Sequence, residues 1–306
     1  MFKKSLIIIV ISVILAFFCL LSADKLEYLL PEEYKISNED LEVVFIDVGQ
    51  GDCILIITPN KKTVLIDSGG IPYWAKDYGL ATPYENVALL YLSSRNIKVL
   101  NFVIITHPHG DHFGGMFDIL SSLKIENFID NGYTEGDPNY FDLLNIVDKK
   151  EIPYEQLKEG DFLEIDNEVF IKTFFPPKKG FIYEGANNSS LVFKLLYKNF
   201  SILFTGDIEI EAENYLCSRY KNEIKSTILK VPHHGSRTSS SRRFIKTVSA
   251  EAAVIMCGRN NLFGHPHQEV ISRYLKFKVE LYRTDIDGDI KILTNGKQYT
   301  IIPRLK

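Results

Sequence analysis

Short apolar runs separated by polar turns recur along most of the chain, and they predict β-strands. Three such runs, at 41–47, 53–57 and 63–67, follow one another closely and predict a β-meander. Later runs that end at polar residues occupy 101–106, 190–195, 200–204 and 226–231. The segments 85–95 and 114–123 are predicted to be helices, the second of them opening directly after the run at 101–112.

The order of these elements indicates the fold class. Strands come first and helices then alternate with strands, which is typical of an α+β fold with two packed mixed β-sheets flanked by helices, an αββα sandwich. The middle segment, 124–179, alternates short apolar runs with Gly, Pro and Asp and carries no recognisable motif. We expect it to supply strands and a surface insertion.

The beginning of the chain differs in kind from the rest. Lys3 and Lys4 precede an uncharged, mostly apolar run at 6–21, whose length lies between the ~7–15 residues of a signal-peptide core and the ~20 of a spanning helix. We therefore expect a signal anchor or signal peptide at 1–24, a spacer at 25–40 and the folded domain at 41–304. Basic residues before the run favour a cytoplasmic tail, so the domain is expected outside the cell membrane, or secreted if the leader is cleaved.

Composition narrows the class of protein. A chain of 306 residues with 45% apolar and 24% charged residues is typical of a globular protein with a sizeable core. The net charge of −4 excludes a uniformly basic surface that coats nucleic acid, although it leaves room for a local basic cleft. The four cysteines are scattered and none has CxxC spacing, which argues against a disulfide framework or a cysteine metal site.

The candidate chemistry is concentrated in the run His107-Pro108-His109-Gly110-Asp111-His112. It follows a predicted buried strand, and the carboxyl end of a strand is a usual place for sites in α/β proteins. Imidazole and carboxylate together are ligands that zinc prefers. The other histidines fall in two further short clusters, at 233–234 and 265–267.

Several ordered motifs carry a family resemblance. The HxHxDH run, Asp67 in Leu65-Ile66-Asp67-Ser68-Gly69, Thr205-Gly206-Asp207 and His233-His234-Gly235-Ser236 resemble the metallo-β-lactamase superfamily over nearly the whole folded body. Within that superfamily, the segments 47–52, 187–191, 230–236 and 282–285 are similar to the hydrolase domain of ComEC-type DNA-uptake proteins. The resemblance implies a metal-dependent hydrolase that holds two divalent ions.

The residues divide into two ligand sets. Alternating positions on a tight turn let His107 and His109 face one ion while Asp111 and His112 face the other. Asp207, at another strand end, is the expected bridge. His234 is expected to complete the shell of the second ion, and His233 either lies beside the site or supports a ligand. Asp67 resembles the buried family aspartate that fixes the ligand loop by hydrogen bonds.

The first ion lacks its usual third imidazole. Most of the superfamily has a histidine between the ligand loop and the bridging aspartate, but none occurs here between His112 and His233. Asn187 or Asn188 occupies that stretch, and we take Asn187 as the predicted ligand. An amide oxygen makes the shell harder, so the cofactors are expected to be two Zn²⁺ or two Mn²⁺ ions.

The substrate side is predicted from 236–267. Ser236 and Arg237 are candidates to hold a nonbridging phosphate oxygen, and a helix that begins near Ser240 would direct its free N–H groups toward the metals. Asn261 could line the same cleft. His265 is a candidate catalytic acid or phosphate contact and His267 a substrate contact, with an exposed turn as the alternative for both.

These residues predict one leading function and two alternatives. The leading one is a phosphodiesterase or nuclease that acts on DNA or a related phosphodiester outside the membrane through a metal-bound hydroxide, with Asp111 orienting the nucleophile. The first alternative keeps the site but changes the substrate to another envelope phosphodiester or ester. The second is a membrane-tethered accessory or binding module with a degenerate metal site. No protein partner is predicted.

Overall fold

Aliphatic and aromatic side chains from two β-sheets pack against each other and form the central core. The computed structural model describes residues 40–70, 86–179 and 185–305. In this core Phe45 and Phe204, one from each sheet, have ring centroids 6.2 Å apart. Alternate strand residues face this layer because successive side chains of a strand point to opposite faces.

The first sheet has the strand order β17-β16-β1-β2-β3-β5-β7-β8. Its strands are β1 (Leu41–Phe45), β2 (Ile54–Ile57), β3 (Thr63–Ile66), β5 (Phe102–Ile104), β7 (Phe128–Asp130), β8 (Tyr154–Gln156), β16 (Ile290–Thr294) and β17 (Tyr299–Pro303). The meander β1-β2-β3 is antiparallel, whereas β3, β5, β7 and β8 run parallel. A separate parallel pair joins β4 (Val99–Leu100) to β6 (Lys124–Ile125).

The second sheet has the order β15-β14-β13-β12-β11-β10-β9. Its strands are β9 (Phe162–Asp166), β10 (Val169–Phe175), β11 (Val192–Tyr197), β12 (Phe200–Phe204), β13 (Ile228–Lys230), β14 (Ala252–Ile255) and β15 (Glu280–Arg283). Strands β9 to β12 are antiparallel, and β12 to β15 are parallel. Both sheets are therefore mixed, as predicted.

Helices cover the outer faces of both sheets. They are α1 (Val87–Ser94), α2 (Gly110–Phe113), α3 (Met116–Ser122), α4 (Asn139–Lys149), α5 (Ile210–Arg219), α6 (Arg242–Val248), α7 (Gln268–Lys276) and α8 (Thr284–Asp287). Residues of α1, α3 and α4 pack on the first sheet. Residues of α5, α6 and α7 pack on the second. This arrangement is the αββα sandwich that the sequence predicted.

Two of the expectations from the sequence change in detail. The helix predicted at 114–123 is α3, and a further short helix, α2, precedes it and begins inside the ligand run at Gly110. The middle segment 124–179 is part of both sheets, since β7 and β8 extend the first sheet and β9 and β10 form the edge of the second. The predicted strands are thus present, and they belong to the framework of both sheets.

The predicted leader and nearly all of the spacer lie outside the described residues. Across 40–70, 86–179 and 185–305, no helix combines the length and apolarity needed to cross a bilayer.

Parallel strands bring the predicted ligands to one edge of the sandwich. Asp67 follows β3 and His107 follows β5, and these two strands are parallel neighbours. Asp207 follows β12 and His234 follows β13, which are parallel neighbours in the other sheet. Because the carboxyl ends of parallel strands meet at one sheet edge, side chains distant in sequence converge there.

Candidate active site

The ligand loop, residues 107–112, brings its three histidine rings close together. His107 is buried, and its Nε2 atom lies 3.0 Å from Nδ1 of His109. His109 is the N-cap of α2, so Asp111 and His112 lie in the first turn of that helix. The rings of His107 and His112 are also close, with centroids 4.1 Å apart, so the division of these residues into two ligand sets stays a prediction.

Asp67 fixes this loop from beneath. Its carboxylate accepts hydrogen bonds from the Thr106 amide and hydroxyl, both at 2.8 Å, and faces Nδ1 of His112 at 2.8 Å. With Nδ1 bound in this way, the Nε2 atom of His112 is directed into the site. Asp67 therefore has the position that the family resemblance predicted for it.

Asp207 and His234 approach the same point from the second sheet. Oδ2 of Asp207 lies 3.0 Å from Nε2 of His234 and 3.3 Å from Nε2 of His112. Nε2 of His234 is also 3.5 Å from Oδ2 of Asp111. Nδ1 of His234 lies 2.9 Å from the Met256 carbonyl oxygen, which orients the ring.

His233 and Asn187 lie next to this group. His233 and His234 both have left-handed backbone conformations, with φ of 47° and 52°, and such strain is concentrated at functional sites. Nδ1 of His233 lies 3.2 Å from Oε1 of Glu209, and its Nε2 lies 3.5 Å from Nδ2 of Asn187. His233 is therefore beside the ligands, and its ring is held by Glu209.

Two buried charges, Asp52 and Lys230, were not predicted from the sequence. Each is 1% exposed, and the ammonium of Lys230 contacts both Asp52 and Asp207. Both residues lie within motifs that support the family resemblance, at 47–52 and 230–236. A lysine at the end of a buried strand was the available signal, since lysine is almost never fully buried unless it is paired.

The site opens into a cavity of about 460 Å³. The predicted site residues that line it are His109, Asp111, Asn187, Asp207, His233, His234 and His265. Gln50, Tyr133, Glu135, Asp137 and Phe263 are also in the lining. Within the described residues, the lining contains no lysine or arginine.

Opposite charges are strongly coupled at the centre of the site. Burial alone would raise the pKa of Asp207, but His234 and His112 hold it well below its usual range. Burial would lower the pKa of His112 and His234, but Asp207 beside them raises it well above the usual value. The imidazoles next to Asp207 thus hold positive charge where a divalent cation would otherwise balance the carboxylates.

The donor set fits divalent ions. Nε2 of His112, Nε2 of His234 and Oδ1 of Asn187 are buried and have no hydrogen-bond partner in the described structure. His112 occurs in three groups whose ligand atoms lie within 4.8 Å of one another: one with His107 and Asp207, one with Asp111 and His234, and one with Asp52 and Asp67. Buried polar atoms normally have partners, so converging atoms without them are what a metal site requires.

The predicted substrate residues are mostly outside this cavity. The Arg237 side chain is largely exposed and lies 3.8 Å from Glu269, and its backbone N–H donates to Nδ1 of His267. The Ser236 hydroxyl is 3.0 Å from that of Thr238. Arg237, Ser236 and His267 do not line the cavity, so their contact with substrate stays a prediction.

Asn261 and His265 lie on one loop, in which Asn261 binds the backbone and His265 lines the cavity. Nδ2 of Asn261 donates to the carbonyls of Gly258 and His265, and its Oδ1 accepts from the amides of Phe263 and His265. Asn261 therefore shapes the loop and holds His265 in the cavity wall. Burial and the nearby His234 lower the pKa of His265 to about 3, so the ring is neutral at neutral pH.

The helix predicted to begin near Ser240 does not direct its N–H groups at the metals. It begins at Arg242 with Ser241 as N-cap. The amides of Ser240 and Ser241 donate to the buried carboxylate of Glu213 on α5. Because a carboxylate of the protein already occupies this helix end, the phosphate-binding role inferred from the serines is wrong.

Comparison with known sequences agrees with the geometry. The sequence profile of the Metallo-beta-lactamase superfamily matches residues 46–259. ComE operon protein 3 of Bacillus subtilis (strain 168) is 31% identical over 266 residues, which cover 84% of this chain and 34% of that protein. Competence protein ComA of Neisseria gonorrhoeae is 26% identical over 261 residues, which cover 84% of this chain and 33% of that protein. The chain thus spans about a third of the length of these relatives.

Solved structures show the same fold. The metallo-beta-lactamase fold protein YhfI from Bacillus subtilis superposes with a TM-score of 0.51 at 11% identity, covering 79% of this chain and 96% of that one. Igni18, a metallo hydrolase from Ignicoccus hospitalis, superposes with a TM-score of 0.51 at 14% identity, covering 82% of this chain and 98% of that one. Family profile, fold and ligand geometry agree: the chain belongs to the metallo-beta-lactamase superfamily and is a metal-dependent hydrolase.

Proposed function

We propose that this hydrolase cleaves phosphodiester bonds, in DNA or a related polymer outside the cell membrane, with two Zn²⁺ or Mn²⁺ ions. The observation that carries the proposal is the convergence of two buried imidazole nitrogens, Nε2 of His112 and Nε2 of His234, on Oδ2 of Asp207. Such a cluster in a cavity of about 460 Å³ fits hydrolysis at one phosphoryl centre.

The ligands would be divided between the ions as the sequence predicts. His107, His109 and the buried Oδ1 of Asn187 would hold the first ion. Asp111, His112 and His234 would hold the second, and Asp207 would serve both. When bound, two such ions lower the pKa of a water molecule and polarise a phosphoryl oxygen.

The protein's own groups would orient the reaction. Asp111 lines the cavity, and the side chains of His234 and His112 hold its pKa well below the usual range despite its burial. As a permanent carboxylate it would accept a hydrogen bond from the attacking water. Neutral His265, also in the cavity wall, would donate a hydrogen bond to an oxygen of the phosphodiester.

The choice of substrate class is supported by the relatives. Two of the relatives are named for competence or its operon, although this chain matches only about a third of their length. The described lining has no lysine or arginine, so the ions would be the main positive charge for a phosphate group. Placement outside the membrane rests on the apolar run at 6–21 and the lysines before it.

Hydrolysis assays with purified chain test the proposal. Single-stranded DNA, double-stranded DNA and bis(p-nitrophenyl) phosphate would be offered with Mn²⁺ or Zn²⁺, and with EDTA as the metal-free control. Asp111→Ala and Asp207→Ala should abolish turnover while the protein stays folded. The control Asp142→Ala, on the exposed side of α4, should leave turnover unchanged. Metal uptake without hydrolysis of any of these substrates would contradict the phosphodiesterase proposal and favour an accessory module or another ester as substrate.

A further inference from the structure

Lys230 is a fully buried lysine whose ammonium lies among the carboxylates of the site. Its Nζ atom contacts Oδ2 of Asp52, lies 3.5 Å from Oδ1 of Asp207 and donates to the Gly206 carbonyl at 3.0 Å. A charge at this depth is costly unless it is paired and hydrogen-bonded. Asp52, Asp207 and the Gly206 carbonyl therefore compensate the cost of burying the charge of Lys230.

The two oxygens of Asp207 have different neighbours. Oδ1 faces Lys230, whereas Oδ2 faces Nε2 of His112 and Nε2 of His234 at 3.3 and 3.0 Å. The Asp207 amide also donates to the Ser190 hydroxyl at 3.0 Å, which fixes the backbone. The lysine thus holds the oxygen on the inner side and leaves the other one for the cavity.

Asp52 links Lys230 to the other ligand segments. Its Oδ1 atom is 3.4 Å from Nδ1 of His234, and its amide donates to the Asp111 carbonyl at 3.3 Å. The preceding residue, Gly51, approaches Asp111 so closely that a Cβ atom there would lie 2.1 Å from the Asp111 carbonyl oxygen. The β1–β2 loop is therefore packed directly against the backbone of the ligand helix α2.

We propose that Lys230 is a positioning residue of the metal centre, which holds Oδ1 of Asp207 so that only Oδ2 is presented to the ions. Asp52 balances the charge of the ammonium and connects it to Asp111 and His234. The inference rests on the proposed function in one respect, which is that Asp207 is a metal ligand. It concerns metal binding and does not depend on which phosphodiester is cleaved.

A purely structural role makes a different prediction. If Lys230 only neutralised the buried charge of Asp52, then replacing both by neutral groups would restore the site, because no unpaired charge would remain. If Lys230 positions Asp207, the double variant Lys230→Met/Asp52→Asn should fold but leave Oδ1 of Asp207 without its partner. The two roles are therefore separable by metal binding in a folded protein.

The experiment compares four variants with the wild-type chain: Lys230→Met, Asp52→Asn, the double variant, and Lys194→Met as a control. Lys194 donates to the carbonyls of Glu223 and Lys225, away from the cavity lining. Thermal unfolding in EDTA reports folding. Calorimetric titration with Mn²⁺ reports affinity, and the absorption spectrum of the Co²⁺-loaded protein reports the ligand geometry.

We expect Lys230→Met and the double variant to bind Mn²⁺ about 10–100-fold more weakly, as losses of groups that orient metal ligands do, with a changed Co²⁺ spectrum. Asp52→Asn keeps Lys230 beside Asp207 and should lose much less affinity, and Lys194→Met should match the wild type. Wild-type affinity and spectrum in the double variant would overturn the inference. Equal losses of Mn²⁺ affinity in Lys230→Met and Asp52→Asn would also overturn the inference, even if the double variant fails to fold. Absence of metal uptake by the wild type would instead overturn the proposed function.

Discussion

Asp67 and His112 form a hydrogen-bonded pair at 2.8 Å that directs the opposite nitrogen of the imidazole toward Asp207. Asp67 is fully buried and also binds the Thr106 amide and hydroxyl. The carboxylate thus fixes both the ring and the backbone of the ligand loop, so the geometry of the metal site depends on a residue that lies behind it.

Replacing Asp67 by Asn should therefore weaken metal binding without removing a ligand. We expect the Mn²⁺ and Zn²⁺ affinities of Asp67→Asn to fall about 10–100-fold, because an amide holds the His112 ring less firmly than a carboxylate. Calorimetric titration measures the change, and Asp118→Asn on α3 is the control. Unchanged affinity in Asp67→Asn would show that the pair does not organise the site.

The first ion should respond to the donor at residue 187. Asn187→His offers an imidazole where the chain has a buried amide oxygen with no hydrogen-bond partner, and imidazole favours Zn²⁺ over harder ions. We expect the ratio of Zn²⁺ to Mn²⁺ affinity to rise at one of two binding steps, and Asn187→Ala to weaken the same step. Metal competition followed by elemental analysis tests this. If neither change alters either step, Asn187 is not a ligand.

Metal affinity should increase with pH. Asp207 raises the pKa of His112 and His234 well above the usual value in the metal-free protein, against the effect of burial. These imidazoles therefore hold protons at neutral pH, and an entering cation must displace them. We expect the apparent affinity to rise about tenfold per pH unit for each displaced proton. Titrations between pH 6 and 8 in buffers of different ionisation enthalpy count the protons, and a count of zero would contradict the prediction.

Asp166 should contribute to stability through a depressed pKa. Burial would raise that pKa, but hydrogen bonds from Thr58 and Asn60 lower it below its usual value. The carboxylate joins the β2–β3 turn to the β9–β10 turn and so ties the two sheets together. Since the folded pKa lies below the unfolded one, this stabilisation is complete above about pH 4 and is lost as the pH falls through the folded pKa.

Asp166→Asn should thus reduce the free energy of unfolding by about 1–3 kcal/mol at pH 7. The deficit relative to the wild type should shrink as the pH falls toward 3. Urea denaturation at several pH values measures both effects, with Asp142→Asn as the exposed control. A deficit that is constant with pH would mean that the charge of Asp166 is not the stabilising feature.

The sequence identified those parts of the fold and site that depend on local patterns. Apolar runs located the strands that precede Asp67, His107 and Asp207, because a strand's carboxyl end can be found from its own residues. The pairing of those strands brings the ligands to one edge of the sandwich. The order of the motifs was enough to anticipate that the ligands lie close together. The two mixed sheets flanked by helices follow from the same pattern.

What the sequence missed depends on contacts between distant segments. Serines before α6 suggested a free helix end, but Glu213, 27 and 28 residues away, already binds it. Asp52 and Lys230 are separated by much of the chain and become a pair only when β1 and β13 are placed in opposing sheets. Strands were predicted in 124–179 together with a surface insertion, but their places in the two sheets were not, because they are short and carry no motif.

The central claim is that a two-metal site built around Asp207 performs the hydrolysis. The most direct measurement is the number of Mn²⁺ or Zn²⁺ ions bound per chain, determined together with turnover of bis(p-nitrophenyl) phosphate, in the wild type and in folded Asp207→Ala. We expect two bound ions and metal-dependent turnover in the wild type, and loss of both bound metal and turnover in Asp207→Ala. Undiminished metal content and turnover in Asp207→Ala would contradict it.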